Sequence, residues 1–264
     1  MPTLTRDGQK LFYDDAGQGD RTLVLAHNLL TDHHIFDQVV PKLSARYRMI
    51  RVDLRGHGES RGVSGAFTTL ELAEDLAAVL DHAGVTRAVI GGVSLGAATA
   101  MAFASKWPRR VDGLALMAAT ARVSTAYDST QLNTLALAAR TVGMRSFLVR
   151  KSVASLLGKT TLGASPKLVE SLAGRIAMLA PSDAYHAIRC WLSRPAAAPL
   201  LSRVRGVPAL IVIGDEDAAI PDAHTRELAD SFTSPKVVNV ARAGHTLPFE
   251  QPDEVARILA GFLG

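Results

Sequence analysis

The chain has 264 residues, 48% hydrophobic and 20% charged, a composition that suits a globular protein with a large buried core. Net charge is +4, but the basic residues are scattered and no Lys/Arg run is interleaved with aromatics, which argues against nucleic-acid binding. The single cysteine, Cys190, excludes an intramolecular disulfide; no apolar run is long enough to span a bilayer, and the start Met1-Pro2-Thr3-Leu4 lacks a secretory apolar stretch, so a cytoplasmic location is expected.

In chain order, Gly8 marks a turn between Leu4-Thr5 and Leu11-Phe12-Tyr13, the pattern of a hairpin. Thr22 to Ala26 is a short apolar run that predicts a buried strand ending at His27. Ile35, Val39 and Leu43 recur at helical spacing and predict a helix over 32–45. Tyr47 to Leu54 predicts the next strand. Thr68-Thr69-Leu70-Glu71 has the form of a capping box, opening a helix to about Ala83 that Gly84 closes. Ala88 to Gly91 is another buried strand, residues 97–104 are rich in helix formers, and Gly113 to Met117 is a further strand.

After Thr120 the alternation stops. Residues 121–200 lack buried strand runs and predict helices broken by Gly143, Gly158, Gly163, Pro166, Pro181 and Pro195. Alternation resumes with a strand over 209–213, a helix around 222–232, a strand over 236–240 and a last helix from Pro252 to Leu263. Strands alternating with helices predict an α/β fold with a mostly parallel sheet covered on both faces. Residues 1–120 and 201–264 are expected to form the core and 121–200 a helical lid over the carboxyl ends of the strands.

Gly92-Val93-Ser94-Leu95-Gly96 lies between a buried strand and a helix. G-x-S-x-G in that context predicts a nucleophile elbow. The glycines are expected because a side chain at either position would meet the neighbouring strand or helix. The N–H of Leu95 falls at the helix start, where donors are free and negative charge is favoured, so it is a candidate oxyanion donor. A serine nucleophile needs a base and an acid that orients it, in the order Ser, acid, His on this kind of sheet. Two stretches follow later strands in that order: Gly214 to Pro221, with Asp215 and Asp217, and Ala243-Gly244-His245-Thr246.

Together these stretches resemble the α/β-hydrolase fold superfamily, in its serine hydrolase branch. The family pattern G-x-x-D-x-x-x-P places the acid at Asp217, and its G-H pattern places the base at His245, giving Ser94, Asp217 and His245 as the implied triad. The resemblance implies the backbone N–H of Leu29 as the second oxyanion donor. The family has His-Gly ahead of that residue; here it is His27-Asn28, so Asn28 either adopts the unusual backbone itself or turns its amide toward substrate. Enol-lactonases of the 3-oxoadipate pathway share the missing His-Gly pair, and residues 181–190 resemble their lid helix. Tyr185 and Trp191, at the spacing of that helix, read as core residues, with lining of the substrate pocket as the alternative.

The resemblance implies hydrolysis of a small carboxylic ester or lactone and no cofactor. The same triad serves carbon–carbon bond hydrolases and perhydrolases, and a ligand-binding receptor can retain a slow triad. Ser94 argues against dehalogenases and epoxide hydrolases of this fold, which carry Asp there. No His/Cys/Asp cluster shows metal-ligand spacing, so no metal is expected. Asp53 to Gly58 reads as a structural turn, Trp107 and Cys190 as packing residues, and most histidines other than His245 as surface residues.

Overall fold

The computed structural model describes residues 2–204 and 206–264. Eight strands form one sheet among them: β1 (Thr3–Arg6), β2 (Gln9–Ala16), β3 (Thr22–Ala26), β4 (Arg48–Val52), β5 (Ala88–Val93), β6 (Val111–Met117), β7 (Ala209–Gly214) and β8 (Lys236–Val240). Their order is β1-β2-β4-β3-β5-β6-β7-β8. β1 and β2 are antiparallel to their neighbours, and every pairing from β4 to β8 is parallel. The hairpin turns at Asp7 and Gly8, both at positive φ, as a two-residue turn that follows strand twist requires.

The central strands are apolar on both faces because both are covered. Val24, Ile90, Leu114 and Ile211 point into one core cluster, while their neighbours Leu25, Val89, Ala115 and Leu210 point into the other. The first face is covered by α2 (Thr69–His82) and α3 (Leu95–Lys106), the second by α1 (Val40–Leu43) and α12 (Pro252–Leu263). The Thr68–Glu71 capping box forms and holds the start of α2. α3 is buried from Leu95 to Ala104. Its small residues let it pack closely on the sheet beside α2. Each fully buried Leu or Ile in these layers contributes about 1.5–3 kcal/mol.

The helix predicted over 32–45 is two pieces, a 3-10 turn over His33–Phe36 and then α1. Pro41 has no N–H, so an α-helical bond back to residue 37 cannot form. The Asp32 side chain caps the His34 N–H, and the Asp37 carboxylate accepts from His34 and Arg51. The helical period still did its work, since Ile35, Val39 and Leu43 all enter one core cluster.

Between β6 and β7 lie α4 (Ala126–Val142), α5 (Ser146–Leu156), α6 (Lys159–Ala164), α7 (Pro166–Ala177), α8 (Pro181–Leu192) and α9 (Ala197–Leu201). They build satellite cores of their own, one between α5 and α7, and one joining α4 and α8 to Leu29 and Leu30. The Ala197 N–H donates to the Ala121 carbonyl, so the segment closes where it opened. Carboxylates fasten it elsewhere. Asp183 accepts from the N–H groups of Gly62 and Val63, both at 2.8 Å, and Glu216 accepts from the N–H and hydroxyl of Thr160. The chain finishes with α10 (Asp222–Ala229), shorter than the predicted 222–232, then α11 (Leu247–Glu250) and α12. No helix among the described residues is long and apolar enough to cross a membrane.

Candidate active site

Ser94 follows the last residue of β5 and precedes the first of α3, at φ 54° and ψ −106°. A non-glycine residue there is strained, and the surrounding packing must hold it. The flanking glycines show how. A Cβ at Gly92 would lie 2.6 Å from the Ala26 carbonyl oxygen, and one at Gly96 would collide with that same oxygen and lie 2.8 Å from that of His27. The elbow is pressed directly onto the end of β3. Ser94 donates its N–H to the Met117 carbonyl and is only 4% exposed.

Asp217 lies in the turn after β7. Its Oδ1 accepts from the N–H groups of Ala219 and Ile220, and its Oδ2 lies 2.9 Å from His245 Nδ1. With one oxygen anchored by two backbone donors, the other is fixed toward the imidazole. Opposite an ionised carboxylate Nδ1 carries the proton, which leaves the Nε2 lone pair available. Asp215, two residues earlier, is exposed on the outside of the turn. His245 is 4% exposed and sits after β8. Its loop is secured from several sides. Thr246 donates its N–H and its hydroxyl to the Leu156 carbonyl, and Glu250 accepts from the N–H groups of Gly244 and Thr246.

The loop after β3 is bound to the same place. Asn28 is fully buried; its Nδ2 donates to Thr246 Oγ1 at 3.1 Å and its Oδ1 accepts from Thr31 Oγ1 at 2.7 Å. The amide therefore ties the β3 loop to the residue after His245 rather than turning toward a ligand. Nor does Asn28 supply the unusual backbone: the left-handed residue is Leu30, at φ 66°. Leu29 is half-buried and packs against both the main core and the α4/α8 cluster.

Three of the histidines assigned to the surface are not there. His27, His33 and His57 are buried, and only His82 is exposed among the other seven. His27 and His57 cross-link two loops reciprocally. His27 Nε2 accepts from the Leu54 N–H, and His57 Nε2 accepts from the Leu30 N–H at 3.2 Å. Each donates Nδ1–H to a carbonyl, of Asn28 and Arg55 respectively. Burial lowers the pKa of both, and for His57, with His27 beside it, pushes it down to about 3. Both rings are thus neutral at neutral pH, as their acceptor role demands. Burial raises the Asp53 carboxyl pKa, but the bond with His33 and the nearby imidazoles outweigh this and hold it below its usual value.

Asp32, His33 and His34 offer donor atoms within 4.8 Å of one another. Residues consecutive in sequence seldom converge like this; here the 3-10 turn stacks the two rings 4.0 Å apart. The trio borders a cavity of about 230 Å³ that Leu30, Arg175 and Leu179 help to line, and none of Ser94, Asp217 and His245 lines it. The Arg175 guanidinium pairs with Asp32 at 3.2 Å, and Asp53 and Asp37 bind the two imidazole Nδ1 atoms. Arg175 already neutralises the carboxylate on which a cation would depend.

Tyr185 is half-buried on α8 in the cluster that contains Leu29, with the Arg140 guanidinium 4.7 Å from its ring centroid. Trp191 is 9% exposed and belongs to the main core, with the Arg194 guanidinium stacked 3.5 Å from its ring centroid. Cys190 is fully buried and its thiol is pushed up to about 12, so it behaves as a small apolar side chain.

Several known proteins share this fold. A thermophilic esterase from Thermogutta terrifontis, solved with malate bound, superposes with a TM-score of 0.91 at 28% identity, covering 99% of this chain and 96% of that one. An enol-lactonase from Burkholderia xenovorans LB400 superposes at 0.89 with 26% identity, covering 99% of each. The dihydrolipoyllysine-residue acetyltransferase component of an acetoin cleaving system from Pseudomonas putida is 28% identical over 262 residues; the match takes in 96% of this chain but only 66% of that longer protein. Residues 21–252 match the alpha/beta hydrolase fold family. With its mostly parallel eight-stranded sheet, this chain belongs to the α/β hydrolase fold family and has enol-lactonases and esterases among its relatives.

Proposed function

We propose that the protein is a serine hydrolase that cleaves a small carboxylic ester or lactone. The observation that carries this reading is the Asp217–His245 pair at 2.9 Å on the rim of the same sheet as the strained elbow at Ser94. Ser94 attacks the substrate carbonyl while His245 Nε2 takes its proton, and Asp217 stabilises the imidazolium that forms. The N–H groups of Leu29 and Leu95 hold the oxyanion. His245 then gives its proton to the leaving alcohol, or to the enolate of an enol-lactone. Water, activated by the same imidazole, releases the acid and restores Ser94.

In this reading α4 to α9 form a lid over the strand ends, and Tyr185, packed beside Leu29, lines the acyl side of the pocket. The esterase and the enol-lactonase among its relatives support ester and lactone substrates alike. A fluorophosphonate probe should label Ser94, and short-chain p-nitrophenyl esters and a lactone panel should be turned over. Ser94→Ala should lose several orders of magnitude in turnover while keeping its fold. Labelling at another residue, or turnover surviving in Ser94→Ala, would refute the proposal.

A further inference from the structure

Glu250, the last residue of α11, is a buried carboxylate whose four hydrogen-bond partners are all neutral donors. Its two oxygens serve different parts of the chain. Oε1 accepts from the N–H groups of Gly244 at 2.9 Å and Thr246 at 3.3 Å, the residues on either side of His245. Oε2 accepts from the N–H of Gly158 at 2.7 Å and the hydroxyl of Thr161 at 2.8 Å, where α6 begins. Burial raises its pKa above the usual carboxylate value, against the pull of all four donors. An apolar side chain would pack there without that desolvation cost. The carboxylate is the only common side-chain group that can receive two donors on each of two oxygens.

A second, independent feature joins the same two segments. Gly158 and Gly244 meet backbone to backbone: a Cβ on Gly244 would collide with the Gly158 nitrogen, and a Cβ on Gly158 would lie 2.9 Å from the Gly244 nitrogen and 2.6 Å from Glu216 Oε2. Gly158 has φ −67° and ψ 154°, which any residue can adopt. Its lack of a side chain thus serves the close approach, not the conformation. The turn into α6, the acid loop and the His245 loop converge within one layer of backbone.

We propose that Glu250 is a positioning residue for His245, clamping its backbone on both sides and locking it to the turn at Gly158. This rests on the reading of Ser94 and His245 as nucleophile and base. The clamp sets the direction of Nε2 rather than binding substrate, so its loss reduces turnover more than substrate affinity. A misplacement of about 1 Å at a reacting group costs up to about a hundredfold in rate.

The test compares wild type with Glu250→Gln and Gly158→Ala in two assays: fluorophosphonate labelling of Ser94, and kcat and KM for a short-chain ester. Gln keeps the shape but turns an amide N–H₂ toward existing donors. Glu250→Gln should lower kcat and the labelling rate by about tenfold or more, with KM within about threefold. A folded Glu250→Gln protein with kcat and labelling rate within about twofold of wild type would overturn the proposal, as would a loss confined to KM. Should Glu250→Gln fail to fold, Gly158→Ala decides. It keeps its backbone conformation while pushing the turn off Gly244, and is expected to lower kcat about fivefold or more at unchanged KM; an unchanged kcat would overturn the proposal. Wild-type protein that does not label at Ser94 overturns the triad reading and this one with it, whereas equal labelling of wild type and Glu250→Gln overturns this one alone.

Discussion

Asp215 and Asp217 differ in what surrounds them, although they share one turn. Asp217 has one oxygen held by two backbone donors and the other on His245, while Asp215 is exposed. Asp217→Asn should therefore lower kcat by about 10³–10⁴-fold, because the amide no longer fixes the imidazole tautomer, and Asp215→Asn should stay within about threefold. The reverse ranking in steady-state kinetics would reassign the acid. His57 makes a second prediction at this scale. Its pKa is about 3 in the folded protein against 6.5 as the reference, so the unfolded chain takes up a proton that the native state refuses. Stability is then fully present above pH 6.5 and is lost as the pH falls from there toward 3. The depressed pKa of His27 acts in the same direction, and the raised one of Glu250 opposes it nearer the carboxylate range. Urea midpoints should drop between pH 7.5 and pH 5, and less steeply in His57→Asn; equal midpoints in wild type would mean that His57 is not held neutral.

At the scale of the element, the sequence carried what repeats and hid what converges. Local sequence pattern located the strands through short apolar runs and the Gly8 turn, α2 through its capping box and α3 through its helix formers. It failed at 32–45, where the period was right but Pro41 and the capping carboxylates broke the helix. The strand-end positions of Ser94, Asp217 and His245 were legible from short motifs, since each is read within its own few residues. The contacts of Asn28 with Thr246 and of His57 with Leu30 join positions distant in the chain, and no local pattern announces them. Trp191 and Tyr185 show the same limit: spacing puts both on α8, but only packing separates them. Trp191, stacked under Arg194 in the main core, should cost about 3–5 kcal/mol of stability on change to Ala. Tyr185, beside Leu29, should instead alter preference among acyl chain lengths by about tenfold on change to Ala, at nearly unchanged stability. A Trp191→Ala protein with a wild-type urea midpoint would show that this ring is not a core residue.

Across the whole molecule, the loops at the carboxyl edge of the sheet behave as one bonded unit. β3 reaches the His245 loop through Asn28, β4 reaches the β3 loop through the paired histidines, and the helices between β6 and β7 reach that edge through Asp183, Glu216 and Glu250. The bond between Ala121 and Ala197 has a consequence of another kind. Because the departing and returning strands of chain touch there, everything between them is an excursion that leaves and rejoins the sheet at a single address. Its length does not enter the spacing of β6 and β7, and lengthening such an excursion adds only a slowly growing closure cost. The sheet can therefore exchange one helical cassette for another through grafts made at that junction. A transplant that brings an acceptor for the N–H groups of Gly62 and Val63 and donors for Glu216 and Glu250 should fold, while one that lacks them should lose stability before it loses secondary structure, a difference that urea midpoints and far-UV circular dichroism read separately.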